Sequence, residues 1–288
     1  MSNATPLAGD LLEQIKPIIQ RALDEDVGDG DVTTLCTIPP EAMLDGKFIA
    51  KETGVIAGLA VAELTFVLVD EQAQFRPKVA DGDRVEARTV IATVSGPCRA
   101  LLVGERTALN FLQRMSGIAT LTRRFVDAIQ FTQAVILDTR KTAPGLRVLD
   151  KWAVRLGGGQ NHRFGLFDMA LIKDNHIAAV GGITATVQRV RAGDERGRAI
   201  EVEVKNLAEL REALELKVDR IMLDNMSLDE MREAVQITAG RALLEASGNV
   251  SLENVAAAAA TGVDYISVGA LTHSAKALDI SLLLNTKI

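Results

Sequence analysis

The chain has 288 residues, 48% hydrophobic and 3% aromatic, with 32 Lys and Arg against 38 Asp and Glu for a net charge of −6. That length suits one large domain or two ordinary ones with a sizeable core. The acidic balance and the scarcity of rings argue against a nucleic-acid binder, which needs a basic surface and stacking platforms, and no apolar run approaches the ~20 residues that span a membrane.

The opening MSNATPLAGDLLEQ has no basic region followed by an apolar run, so no secretory leader is expected. Cys36 and Cys98 lie far apart without metal-ligand neighbours. They read as free thiols of a cytoplasmic protein, with a single disulfide as the alternative. Leu11, Leu12, Ile15, Ile18, Ile19, Ala22 and Leu23 recur at helical spacing and predict a helix over 10–25 despite Pro17. GDGDVTT, Gly28–Thr34, reads as a turn, too short in ligands for a calcium loop. From Gly46 to Thr93, β-branched runs broken by glycine flank a predicted helix at Ala60–Val69, a small α+β unit with an antiparallel sheet. ADGDRVEARTVIATVSGP superficially resembles the turn of a biotin- or lipoyl-carrying domain, but no lysine sits at its tip. Gly104–Ile129 is a long helical pattern with Leu109, Leu112, Met115, Ile118, Leu121 and Phe125 on its apolar side. Arg106 falls near its start, where the helix dipole disfavours a cation. A surface role and an anionic ligand both remain open for it.

Beyond this helix the chain alternates strands and helices. Strands are expected at Ala134–Leu137, Met169–Ile172, Ile200–Val204, Arg220–Leu223, Leu243–Ala246 and Tyr265–Val268, with helices such as Leu207–Leu216, Leu228–Ala239 and Ser251–Ala260 between them. Alternation of this kind means parallel strands with crossover helices. The short units and the lack of a GxGxxG after the first strand favour a closed β/α barrel over a dinucleotide-binding sheet.

One stretch, Asp138–His176, concentrates Arg140, Lys141, Arg147, Lys151, Arg155, Arg163 and Lys173 with His162 and His176, against Asp138, Asp150, Asp168 and Asp174. These cations sit at the edges of apolar segments and beside glycines rather than in a run, which points to a pocket for an anion. The other strand ends are polar too: Glu203, Asp224, Ser247-Gly248-Asn249 and Gly269-Ala270. The C-terminal rim of a barrel carries its chemistry. There, arginine forks suit carboxylates or a diphosphate, two carboxylates suit sugar hydroxyls or Mg²⁺, and glycine turns suit a terminal phosphate. Histidines such as His273 read as core or capping residues sooner than as ligands.

DTRKTAPGLR, GGGQNHRFGL, LIKDNH, EVEV, MLDN, EASGNV and GVDYISVGALTHSAKALDISL, with ALDEDVGDGDVTT, GVIAG and GERTALNFLQRMSGIAT upstream, strongly resemble the quinolinate phosphoribosyltransferases over nearly the whole chain. The resemblance implies an α/β fold: an N-terminal α/β sandwich over residues 1–113, joined by 275–288, and a partly open, seven-stranded β/α barrel over 114–274. It implies homodimers with shared sites. The activity implied is the conversion of quinolinate and phosphoribosyl diphosphate to nicotinate mononucleotide, diphosphate and CO₂, with Mg²⁺, in NAD biosynthesis. By the same resemblance Arg140, Arg163 and Lys173, with His162 and a partner's Arg106, hold the quinolinate carboxylates, Lys141 meets the diphosphate, and Thr139 is a further substrate-binding residue. Glu203 and Asp224 bind ribose hydroxyls and the metal. Ser247, Gly248, Asn249, Val268, Gly269 and Ala270 cradle the 5′-phosphate. Trp152 stands where tyrosine is expected and Asn249 where some members have glycine. The alternative is a paralogous enzyme acting on another ring acid such as nicotinate. The full set of cations favours a dicarboxylate, because a monocarboxylate would leave buried charge unpaired.

Overall fold

Runs of apolar residues at period two and period 3.6 alternate along the chain, and the structure, a computed structural model describing residues 9–285, resolves them into helices and strands. In chain order these are α1 (Gly9–Val27), α2 (Val32–Thr37), β1 (Met43–Ala50), β2 (Gly54–Val55), α3 (Leu59–Val69), β3 (Gln74–Pro77), β4 (Arg84–Val85), β5 (Val90–Pro97) and α4 (Cys98–Ala128). There follow β6 (Val135–Leu137), α5 (Arg147–Leu156), β7 (Ala170–Ile172), α6 (Asp174–Val180), α7 (Ile183–Gly193), β8 (Ile200–Val204), α8 (Leu207–Glu215) and β9 (Arg220–Asp224). The chain closes with α9 (Leu228–Thr238), β10 (Leu243–Ser247), α10 (Val255–Ala259), β11 (Tyr265–Ser267), α11 (Ala270–His273) and β12 (Ile280–Asn285).

The chain divides into two units, one of residues 9–123, 142–158 and 274–285, the other of residues 124–141 and 159–273. The first boundary thus falls ten residues beyond the expected 113, and residues 142–158 group with the first unit.

In the first unit an antiparallel sheet runs β12-β1-β5-β3, with β2 and β4 paired separately. Alternate residues of β1, Phe48 and Ala50, are buried. Phe48 meets Phe75 edge-on with ring centroids 5.5 Å apart, and Phe66 of α3 lies 6.0 Å from Phe48. Each such burial stabilises by about 1.5–3 kcal/mol, so this aromatic trio is a principal anchor of the sheet.

Three expectations change in this unit. GDGDVTT is not a plain turn: Asp31 caps α2, its Oδ1 accepting the Thr34 N–H at 3.0 Å. The long helix begins at Cys98, directly after Pro97, rather than at Gly104. Arg106 therefore sits in its third turn, clear of the dipole end. Finally, Arg147, Lys151 and Arg155 lie on α5, whose buried Asp150 accepts a bidentate pair from Arg114 Nε and Nη2 at 2.9 and 2.8 Å. Sequence proximity had grouped these three cations with an anion pocket in which they take no part.

The second unit is a six-stranded parallel sheet, one strand fewer than the resemblance implied, in the order β6-β11-β10-β9-β8-β7 of a partly open barrel. Each of the six expected strands forms within one residue of its expected ends. The barrel is not closed: among the described residues β6 and β7 do not pair, and Gln160 instead bridges to Leu137 on the free side of β6. Residues 252–254 form a turn, so α10 is shorter than the expected helix. Ile200, Val202 and Val204 of β8 and Ile221 and Leu223 of β9 are buried apolar positions of one parity. The opposite parity carries Glu201, Glu203, Met222 and Asp224, and a period of two places these on the other face. No described helix is long and apolar enough to cross a membrane. Cys36 is exposed and Cys98 buried, both as free thiols.

Candidate active site

The second parity is what makes the site. Leu171, Lys173, Glu203, Met222, Asp224, Glu245, Ser247, Ser267 and Gly269 all line one cavity of about 710 Å³. Those from β8 to β10 are alternate residues of neighbouring strands in register, with Glu203 beside Met222 and Ser247 beside Asp224. Parallel strands that bury hydrophobic residues outward leave their inward positions available for chemistry at the C-terminal rim.

The cations enter from the loops after β6 and around Gln160. Buried Asp138 holds these two segments together: its Oδ1 accepts the His162 N–H at 2.9 Å and its Oδ2 accepts Asn161 Nδ2 at 2.6 Å. This seats Arg140 and Arg163 in the same cavity wall. Burial, and then the charge of Arg140, lower the Arg163 pKa from its ordinary value. Two desolvated like charges held together favour an anion between them. Lys173, just beyond β7, places Nζ 3.3 Å from Glu203 Oε2. The Lys141 main chain is fixed at both ends, its N–H donating to Thr139 Oγ1 at 3.0 Å and its C=O accepting Thr272 Oγ1 at 2.8 Å.

The far wall is built from tight turns. Gly248 has φ +97°, and a Cβ there would lie 2.2 Å from Asn225 Oδ1, so only glycine fits. Asn225 and Asn249 both adopt left-handed backbone, at φ 54° and 51°. Asn249 Nδ2 donates to Asn225 Oδ1 at 3.0 Å, and Asn225 Nδ2 donates to Asp224 Oδ1 at 3.0 Å. That chain orients the Asp224 carboxylate. At Gly269 a Cβ would come within 3.1 Å of Lys141 Cδ and 3.2 Å of His273 Nε2, so the glycine lets both side chains close on the turn. Backbone turns of this kind after the last strands of a β/α barrel suit a phosphate.

Beneath the cations lies a buried charged cluster. His162 Nε2 is 3.0 Å from Glu201 Oε2 and 3.3 Å from Glu245 Oε2, and Arg220 Nη1 reaches Glu245 Oε2 at 3.1 Å. Both glutamates are fully buried. Burial lowers the His162 pKa, but hydrogen bonds and charge from the glutamates outweigh it and raise the value to about 9; burial raises that of Glu201. The Arg163 N–H, 2.7 Å from His162 Nδ1, is accepted only by a bare Nδ1. A ring that accepts at Nδ1 presents its N–H at Nε2, toward Glu201 and Glu245.

Of the residues expected at the site, Thr139, Arg140, Lys141, His162, Arg163, Lys173, Glu203, Asp224, Ser247, Gly248, Asn249, Val268, Gly269 and Ala270 all line the cavity. Arg106 does not; it is exposed on α4. His176 is a cap, its Nδ1 accepting the Lys173 N–H at 2.9 Å. The sequence reading passed over Glu245, Ser267, Asn225 and Met222, and gave His273 a structural role although it lines the cavity. The carboxylates could have been found: in EVEV and LLEAS a charged residue interrupts an apolar strand at period two.

A model of the quinolinate phosphoribosyl transferase C-terminal domain matches residues 118–283, and one of the N-terminal domain matches residues 31–116. The chain is 48% identical over 293 aligned positions to the Nicotiana tabacum protein named quinolinate phosphoribosyltransferase [decarboxylating] 1b, spanning 95% of this chain and 83% of that protein. It is 46% identical to a Bacillus subtilis protein named probable nicotinate-nucleotide pyrophosphorylase [carboxylating], spanning 93% of both. Among solved structures, NadC from Streptococcus pyogenes superimposes with a TM-score of 0.93 at 42% identity, covering 98% of this chain and 99% of that one. With matches to both domain models and to relatives along nearly its full length, this chain belongs to the quinolinate phosphoribosyltransferase family.

Proposed function

We propose that the chain transfers the phosphoribosyl group of phosphoribosyl diphosphate to quinolinate with decarboxylation, giving nicotinate mononucleotide, diphosphate and CO₂ for NAD biosynthesis. The observation that carries this reading is a single cavity with three chemistries: Arg140, Arg163 and Lys173; Glu203 and Asp224; and the turns at Gly248 and Gly269. In this arrangement Arg140, Arg163 and Lys173 bind the two ring carboxylates, helped by His162. Lys141, with Thr139, meets the diphosphate, Glu203 and Asp224 hold the ribose hydroxyls, and the Ser247–Asn249 and Val268–Ala270 turns cradle the 5′-phosphate.

The chemistry follows from that placement. The pyridine nitrogen gives its electron pair to ribose C1 as the bond from C1 to diphosphate breaks, and Lys141 balances the charge gathering on the departing oxygen. The alkylated ring is cationic. When the bond from C2 to its carboxylate breaks, that ring accepts the electron pair, CO₂ leaves, and C2 takes up a proton. Arg140 and Arg163 orient the carboxylates throughout.

Mg²⁺ is tested by the donor set. Glu203 and Asp224 supply oxygen only, and each has one carboxylate oxygen engaged by a neighbour, Lys173 and Asn225 respectively. Two carboxylates are too few for a protein cage but suit Mg²⁺, which keeps waters and binds substrate phosphates. Glu203 and Asp224 would hold it, where it would neutralise charge on the diphosphate. A homodimer, in which Arg106 of the partner subunit completes each site, is part of this proposal. A cytoplasmic location fits the free thiols.

The test is a choice of acceptor. Purified protein is given phosphoribosyl diphosphate, Mg²⁺ and either quinolinate or nicotinate, and nicotinate mononucleotide is followed by mass. Product from quinolinate alone is expected; product from nicotinate would support the monocarboxylate alternative.

A further inference from the structure

His162 was expected to help hold the quinolinate carboxylates, and both of its ring nitrogens face groups within the protein. Nε2 faces Glu201 and Glu245 at 3.0 and 3.3 Å, and Nδ1 accepts the Arg163 N–H at 2.7 Å. Glu245 is in turn held by Arg220, whose guanidinium lies 4.2 Å over the Tyr265 ring. On the other side, Asp138 fixes the main chain at His162. The peptide leading into Arg163 is thus clamped by one carboxylate from above and, through an imidazole, by two from below.

We propose that Glu201 and Glu245 are positioning residues for substrate binding: acting through His162, they fix the main chain of Arg163 and so aim its guanidinium at a quinolinate carboxylate. This deepens the proposed function and rests on it. The reasoning is geometric. A histidine can accept a backbone N–H at Nδ1 only if its proton is kept on Nε2, and a carboxylate facing Nε2 is what selects that tautomer. One carboxylate would select the tautomer but leave the ring free to tilt. A second, itself anchored by Arg220, removes that freedom. Arg163 also donates Nη1 to Met169 O at 3.2 Å, so a small rotation of its main chain would move the guanidinium off both that carbonyl and the cavity. His162, Glu201 and Glu245 would also suffice in number for a metal site. The Arg220 cation against Glu245 argues against a metal, because a second cation there would be repelled.

The test uses the isosteric variants Glu201→Gln and Glu245→Gln in the full chain, after the wild type has been shown to turn over quinolinate. Failure of the wild type would strike the proposed function and not this inference. In folded variants the quinolinate KM should rise about tenfold while that for phosphoribosyl diphosphate stays within about twofold. Unchanged quinolinate KM, or an equal rise in both constants, would overturn the assignment. A readout independent of activity is the nitrogen-15 spectrum of His162, resolvable in a chain with 3 histidines. Above the raised ring pKa of about 9 the wild type should show a protonated Nε2 and a bare Nδ1. A protonated Nδ1, or a stoichiometric metal retained on this ring, would overturn the proposal even if the variants fail to fold.

Discussion

Arg140 and Arg163 repel each other across a desolvated wall, and a dicarboxylate set against them relieves that repulsion. Arg140→Ala or Arg163→Ala should therefore act mainly on quinolinate. Truncating one partner of a desolvated charge pair is expected to weaken binding by about 2–5 kcal/mol, read by calorimetric titration of quinolinate. Wild-type affinity in both variants would take them out of the carboxylate site. Asp224 makes a different test. Its carboxylate is oriented through Asn225 and Asn249, so Asp224→Asn should leave the fold intact while impairing use of phosphoribosyl diphosphate and shifting the Mg²⁺ dependence. Wild-type activity across a magnesium titration would refute its role.

The turn after β10 shows how an element carries function. Gly248→Ala forces a Cβ into left-handed backbone and onto Asn225 Oδ1. Strain of this kind is expected to cost about 1–3 kcal/mol, and its relief would displace the Asn225–Asn249 bond. Thermal stability should fall, and the KM for phosphoribosyl diphosphate should rise more than that for quinolinate; an unchanged melting profile would show that the turn tolerates a side chain. Much of this was legible in the sequence. Short β-branched runs ending in Asp, Glu, Ser-Gly or Gly-Ala announce parallel strands and a polar rim. What could not be read was three-dimensional grouping. Arg147, Lys151 and Arg155 sit among the active-site cations in sequence but belong to α5 of the first unit. Glu201 resembles Glu203, two residues on, yet one is fully buried against His162 and the other meets Lys173 at the cavity. The start of α4 was hidden because ATVSGPCRALLV keeps an apolar character across the strand-to-helix change at Pro97.

At the scale of the whole molecule, exposed Arg106 on α4 is the residue of the expected site that the cavity wall does not contain. If the homodimer shares its sites, Arg106→Ala and Lys173→Ala should each be nearly inactive alone. Refolded together in equal amounts, random pairing makes about half the dimers mixed, each carrying one native site, and activity recovers towards about a quarter of wild type. Demonstrated mixing without recovery would confine Arg106 to its own chain or to no site. The central claim, that this cavity alkylates and then decarboxylates a pyridine dicarboxylate, is tested most directly with quinolinate carrying carbon-13 in the 2-carboxylate alone. One labelled CO₂ should appear for each nicotinate mononucleotide formed, with no label left in the nucleotide; label retained in the nucleotide, or nucleotide formed without labelled CO₂, would contradict it.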